Sequence, residues 1–168
     1  SALYADQDLP AIEQQQALLT MLSIEQPDAP VAPLPMLPPF GNDMQVIAVQ
    51  AVPLTFDGGT GYRYLAHYAG DAPGPVLSDD VVYTFQGLTG DGALWVSLVH
   101  PVTVASLPAD AASVGEAMRA SIQSDPDSYL AGMSDAIASL DPETDVEPAL
   151  SALDGIIAGL SIGSLGDG

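Results

Sequence analysis

The spacing of hydrophobic positions changes twice along the chain. Residues 9–25 carry Ile12, Leu18, Leu19 and Leu22 at helical spacing, with Asp8 placed to cap and Pro10 suited to a first turn, which predicts a helix. Residues 26–40 hold Pro27, Pro30, Pro33, Pro35, Pro38 and Pro39, a density that rules out helix and central strand and predicts an extended strap. Val31, Leu34, Met36, Leu37 and Phe40 make that strap too apolar for a free linker, so it is expected to lie on the fold. From Met44 to Val104 the period falls to two. Residues 45–52, 62–68, 81–87 and 93–104 read as strands rich in β-branched and aromatic side chains. The run DGGTG at 57–61 and the run TGDG at 89–92 read as hairpin turns, Asp91–Gly92 being the stronger signal. Residues 71–80, with Pro73, Gly74 and Pro75, form a looser connection. Two hairpins in series imply an antiparallel sheet of four or more strands within residues 44–104.

After Pro108 the period returns to helical. Residues 109–123 place Val114, Met118 and Ile122 on one face, and Ser124 or Asp125 is positioned to cap a second helix running through Leu140. Asp141–Pro142 and Glu147–Pro148 then open a third helical stretch, with Leu150, Leu153, Ile156, Ile157 and Leu160 as its stripe. The glycine-rich tail, 161–168, is expected to fray, with Ile162 available for a short strand. Strands grouped first and helices grouped after predict an α+β fold, one domain over residues 1–168.

Composition sharpens this picture through its charge. The 22 acidic residues are an ordinary number for 168 positions, but there is no lysine, and Arg63 and Arg119 are the only basic residues beside two histidines. The net charge of −20 therefore arises from missing bases, with total charged content at 14% against about 25% in typical soluble domains. Phosphate-mediated binding of nucleic acid needs several cations on one face and is excluded, as is a polybasic hold on anionic lipid. Uncompensated carboxylates repel one another. The melting temperature is expected to rise with added salt and on acidification from about pH 7 toward about pH 4; a flat response would show that self-repulsion contributes little.

The absence of cysteine removes disulfides, thiol catalysis and thiolate metal sites. No run of apolar residues is long enough to span a bilayer, and the chain opens on Ser1 with no basic-then-apolar leader, so it is expected to be a processed form.

Candidate chemistry concentrates in the strand block. By alternation Arg63, Leu65 and His67 share one face of their strand while Tyr62, Tyr64, Ala66 and Tyr68 share the other. An arginine enclosed between sheet and helix must pair with a carboxylate or with backbone carbonyls; in a pocket it would instead hook an anion. His67 and His100 alone do not make a metal site, which needs three or four ligands, and no carboxylate stands at ligand spacing beside either. Arg119 lies mid-helix and reads as solvated. Asp141, Glu143, Asp145 and Glu147 alternate as in the start of a calcium loop, but Val146 occupies the position that needs glycine. These acids read more simply as helix-start residues. The run GLTGDG at 87–92 lacks the lysine of a phosphate-binding loop, and neither a nucleophile elbow nor a Ser-His-Asp arrangement is present. No catalytic residue, metal site or cofactor is assigned. The candidate binding residues are Arg63, Tyr64, His67, Trp95 and His100.

One resemblance joins these motifs. The run LPPF at 37–40, Phe56 followed by GTGYRYL at 59–65 and His67–Tyr68, YTFQGLTGDG at 83–92, Val96 to Pro101, Leu107–Pro108 and LSALDGII at 150–157 resemble a family of uncharacterised secreted, lipoprotein-like bacterial proteins frequent in Chloroflexi-type bacteria. The resemblance covers roughly residues 35–160 and implies an exported, cell-surface location. Where a lipoprotein begins at a lipidated cysteine this chain begins at Ser1, so either a lipid anchor is lost ahead of it or this member is free. It implies no activity and carries over no catalytic residue. The function expected is a non-enzymatic extracellular domain that binds an unknown protein or small ligand through its tyrosine-rich strand faces and the Trp95 region. A structural subunit of a surface assembly is the alternative, and a hydrolase using acidic residues the second alternative.

Overall fold

A computed structural model describes residues 9–25, 33–36, 44–70 and 74–162. The Asp8 cap, most of the Pro-rich strap and the tail beyond Ile162 lie outside these residues. The fold is α+β. A helix, α1 (Leu9–Glu25), precedes a four-stranded antiparallel sheet of β1 (Met44–Phe56), β2 (Gly59–Ala69), β3 (Val82–Thr89) and β4 (Trp95–Pro101), and the strands neighbour one another in chain order. There follow β5 (Thr103–Val104), α2 (Glu116–Ser124), α3 (Pro126–Ala138), β6 (Val146–Glu147) and α4 (Leu150–Ala158), with β5 and β6 paired as a second small sheet.

The predicted alternation along β2 holds, because this central strand is covered on both faces. Tyr62, Tyr64 and Ala66 are buried with Leu22 of α1 and Leu34 of the strap. Leu65 faces the other way, into the larger core with Ile47, Phe56, Tyr83 and Phe85, closed by Tyr129 and Ile137 of α3 and by Leu150, Leu153 and Ile157 of α4. Phe56 and Phe85 meet edge to face at 6.1 Å in that core, a favourable aromatic geometry. Gly61 and Gly87 face each other across β2 and β3. A methyl group on Gly61 would stand 2.2 Å from the Gln86 carbonyl oxygen, so only glycine admits this approach of the two strands.

The described part of the strap lies on the fold, as its apolar residues predict. Leu34, Pro35 and Met36 are buried. Two glutamines replace the ladder that a proline-rich segment cannot form. The Gln45 side chain accepts from Leu34 N at 2.8 Å and donates to Leu34 O at 3.3 Å, and Gln15 of α1 accepts from Met36 N at 3.0 Å.

Several predicted boundaries shift. The helix expected over 109–123 begins only at Glu116, because the Asp110 carboxylate accepts from Ser113 N (2.8 Å) and Ser113 Oγ (2.7 Å) and closes a turn there. Val114 is consequently buried in a loop, not on a helix face. Asp125 does cap α3, accepting from Ser128 N at 3.1 Å. The strand expected over 93–104 breaks at Val102 into β4 and β5. The third helical stretch starts at Leu150, after a turn at 142–145 and the unpredicted β6, and the Glu147–Pro148 peptide is cis. Ile156 is 59% exposed and leaves the predicted stripe. Near the tail, Ser161 bridges Asp57 in parallel, one residue before the Ile162 proposed for pairing.

Candidate functional site

Two places gather polar side chains. The first is inside the fold. A β-bulge between Val49 and Val52 puts Gln50 into the left-handed region, at φ 53. That conformation costs a non-glycine residue about 1 kcal/mol. It is held from both sides. The Gln50 amide nitrogen donates to the carbonyls of Ile137 (3.1 Å) and Leu140 (2.9 Å) at the end of α3. Its backbone oxygen accepts from Arg63 Nη1 at 2.8 Å. Arg63, only 7% exposed, also donates from Nε to Asp154 Oδ2 of α4 at 3.4 Å. Tyr83 completes the cluster by donating its hydroxyl to Asp154 Oδ1 at 2.9 Å. Burial, then the hydrogen bond and charge of Asp154, push the Tyr83 hydroxyl pKa far above its ordinary value. Arg63 therefore takes the enclosed alternative and meets both a carboxylate and a backbone carbonyl. The cluster ties β1, β2, β3, α3 and α4 together.

The second place is a cleft of about 200 Å³ between α1 and the β3–β4 hairpin, lined by Gln16, Leu19, Thr20, Leu88, Gly92 and Trp95. The hairpin that forms one wall is set by Gly92, at φ 70, and by Asp91, whose carboxylate accepts from Ala93 N at 3.0 Å and from the Thr89 hydroxyl. Those bonds hold the Asp91 carboxyl below its usual range. Asp110 and Asp125, the turn and cap residues bonded to Ser113 and Ser128, are held down in the same way. Trp95 is half-buried, so part of its indole borders the opening. Leu94 beside it is 40% exposed.

The five candidate residues do not converge. The register pairs Arg63 with Phe85 and Leu98, and Tyr83 with His100, which puts Arg63, His67 and His100 on the face covered by α3 and α4. Tyr64 and Trp95 lie on the α1 face. Tyr64 is fully buried, its hydroxyl donating to Pro35 O beneath the strap, so the tyrosine-rich face is core and not a contact surface. His67 Nδ1 stands 3.1 Å from Asp80 O, and exposed His100 Nδ1 stands 2.6 Å from Pro101 O. Among the described residues no three His, Asp or Glu side chains are grouped to hold a metal. The alternating acids at 141–147 form a turn, not a helix start. There Asp141 N donates to Asp145 Oδ2 at 2.9 Å, and Asp141 Oδ1 accepts from Glu143 N at 2.8 Å. Of the five, Trp95 lines the cleft beside α1.

Arg119 was legible only as a helix residue. It stands at a groove of about 350 Å³ formed by Gly74, Pro75, Val114, Ile122 and Gln123, with one guanidinium nitrogen donating to Ala111 O at 3.1 Å. The groove depends on the 74–75 loop and α2 lying side by side, an arrangement with no local signal. Comparison with family models, with curated proteins and with solved structures finds no match to this chain.

Proposed function

We propose that this chain is a non-enzymatic domain, exported and displayed at the cell surface, that binds a partner or small ligand at the Trp95 cleft. The observation that carries this reading is the contrast between the two polar places. Arg63, Asp154 and Tyr83 spend their hydrogen bonds on one another and on the Gln50 backbone inside the fold. At the cleft a half-exposed indole instead stands on an open wall beside Gln16 and Thr20, the Thr20 hydroxyl donating to the Gln16 carbonyl at 2.8 Å and keeping its oxygen as an acceptor. An aromatic surface with a few directional polar groups is the usual composition of a recognition site. Among the described residues the carboxyls with altered affinity for protons, Asp91, Asp110 and Asp125, are held down by turn or cap bonds, the opposite of what a general acid requires. The export assignment rests on the resemblance of the 35–160 block to secreted, lipoprotein-like proteins. Among the described residues no helix is long and apolar enough to cross a membrane.

A fragment screen by NMR tests the cleft, because the chain has one tryptophan and its indole N–H gives one signal. Bound fragments are expected to shift that signal, and Trp95→Ala is expected to weaken them about tenfold or more. Fragments that gather instead around Arg119 and ignore Trp95 would contradict the assignment.

A further inference from the structure

The two edges of the sheet are not equally guarded. On β1 the edge is interrupted by irregularities at Gln45/Ile47 and Val49/Val52, contains Pro53, and has α3 and α4 packed against the strand. Bulges, proline and covering helices are the usual devices that stop an edge from pairing. β4, reading WVSLVHP, has neither bulge nor proline before its terminal Pro101, carries no charged residue from Trp95 to Val99, and has β3 as its one sheet neighbour among the described residues.

Which backbone groups β4 offers follows from its register. Thr89 N donates to Leu94 O at 2.9 Å, and Val102 N donates to Val81 O at 3.1 Å. The even-numbered positions from Leu94 to Val102 therefore turn their backbone groups toward β3, and Trp95, Ser97 and Val99 turn theirs outward. Their side chains lie on the α1 face, while Val96 and Leu98 pack against the main core from the opposite face. Outward N–H and C=O groups at alternate positions, with apolar side chains on both sides, make a template for an added strand.

Charge decides what that strand is. Asp91 stands exposed beyond the Trp95 end of β4, and exposed Asp79 accepts from Thr103 Oγ1 at 3.1 Å beyond the Pro101 end. A second copy paired about Ser97 would bring each Asp91 toward the Thr103–Asp79 pair of the other copy, twice, between two chains of net charge −20. A strand with cations at both ends meets the same carboxylates favourably.

We propose that the outer edge of β4 takes an added strand from another protein, an extended segment with an apolar, β-branched middle and Lys or Arg at both ends. This rests on the reading of the chain as a non-enzymatic binding domain and names the class of its partner.

The probe is a synthetic peptide of alternating threonine and valine with two lysines at each end. Its binding to the full chain is followed by Trp95 fluorescence and by amide hydrogen exchange. The expected result is saturable binding that slows exchange at Trp95, Ser97 and Val99. Affinity should fall about tenfold or more when glutamates replace the flanking lysines, and similarly in high salt. Methylating the peptide's alternate backbone nitrogens, which leaves the protein untouched, should abolish binding. Val99→Pro should do the same, because it removes an outward N–H while sparing the bonds to β3. Equal affinity for lysine- and glutamate-flanked peptides, binding that survives methylation, or no slowing at the three outward amides would overturn the proposal. A protein that self-associates through β4 at low salt would overturn it in favour of a second copy. Fragments still seated at Trp95 in any of these cases would leave the cleft reading standing, so the two fail separately.

Discussion

Asp154→Ala is expected to lower the free energy of unfolding by about 3 kcal/mol, at the lower end of the cost of breaking a buried ion pair. The substitution leaves Arg63, whose side chain is 9% exposed, with the Gln50 carbonyl but without its carboxylate, and at the same time removes the acceptor of the Tyr83 hydroxyl. The low end applies because the Asp154 side chain is 24% exposed, so water can enter from its side. Asp154→Asn separates the two losses. It keeps an acceptor for Tyr83 and a neighbour for Arg63 without the charge, and should recover part of the stability. Urea denaturation should show the midpoint falling with the slope unchanged in both variants. A loss below about 1 kcal/mol for Asp154→Ala would mean that the pair behaves as an exposed one and that the cluster does not hold the helices to the sheet.

Alkali is expected to unfold the protein cooperatively as two tyrosines are forced to ionise. Burial raises the hydroxyl pKa of Tyr64 well above its ordinary value, and burial with the Asp154 contact does the same for Tyr83. In the unfolded chain both ionise near about pH 10. Above that pH the unfolded state binds fewer protons than the folded one, so stability fully present below about pH 10 is lost as pH rises. The slope approaches about 1.4 kcal/mol per pH unit for each residue, or about 2.7 for the pair. Tyr68 is raised in the same direction by burial, offset in part by its hydrogen bond from Gln45, and adds less because it is only half-buried. With no lysine in the chain, side-chain titration in this range belongs to tyrosine. Tyrosinate absorbance and circular dichroism should therefore change together at the transition. Full tyrosinate absorbance near about pH 10 with the circular dichroism intact would refute the buried placement of these hydroxyls.

Local periodicity was enough to separate the faces of β2, because a central strand covered on both sides leaves its alternation undisturbed. For Arg63 it left two alternatives open, a guanidinium enclosed with a carboxylate or carbonyls and an anion hook in a pocket. The partner was not legible. Asp154 lies 91 positions away, inside what reads as an apolar helical stripe. Nor does sequence mark the bulge at Gln50, whose left-handed backbone is sustained by contacts with α3 that form only in the folded chain. The late start of α2 was legible in principle, since Asp110 followed by Ser113 is a turn pattern, and the alanines around it suggest helix more loudly. Trp95 and Arg63 were grouped as one candidate site because they share a strand block. Counting register across β3 puts them on opposite sides of the sheet, and the residues that complete the Trp95 cleft, Gln16 and Thr20, come from a helix far back in the chain.

In the proposed reading the face covered by α3 and α4 is structural, and recognition takes place along β4 and its Trp95 cleft. An amide-resolved NMR titration with the lysine-flanked peptide tests this most directly. Shifts are expected to concentrate at Trp95, Ser97 and Val99, with Arg63, Tyr83 and Asp154 unmoved. Saturable shifts centred on Arg63 and Asp154, or on the Arg119 groove with β4 silent, would contradict it.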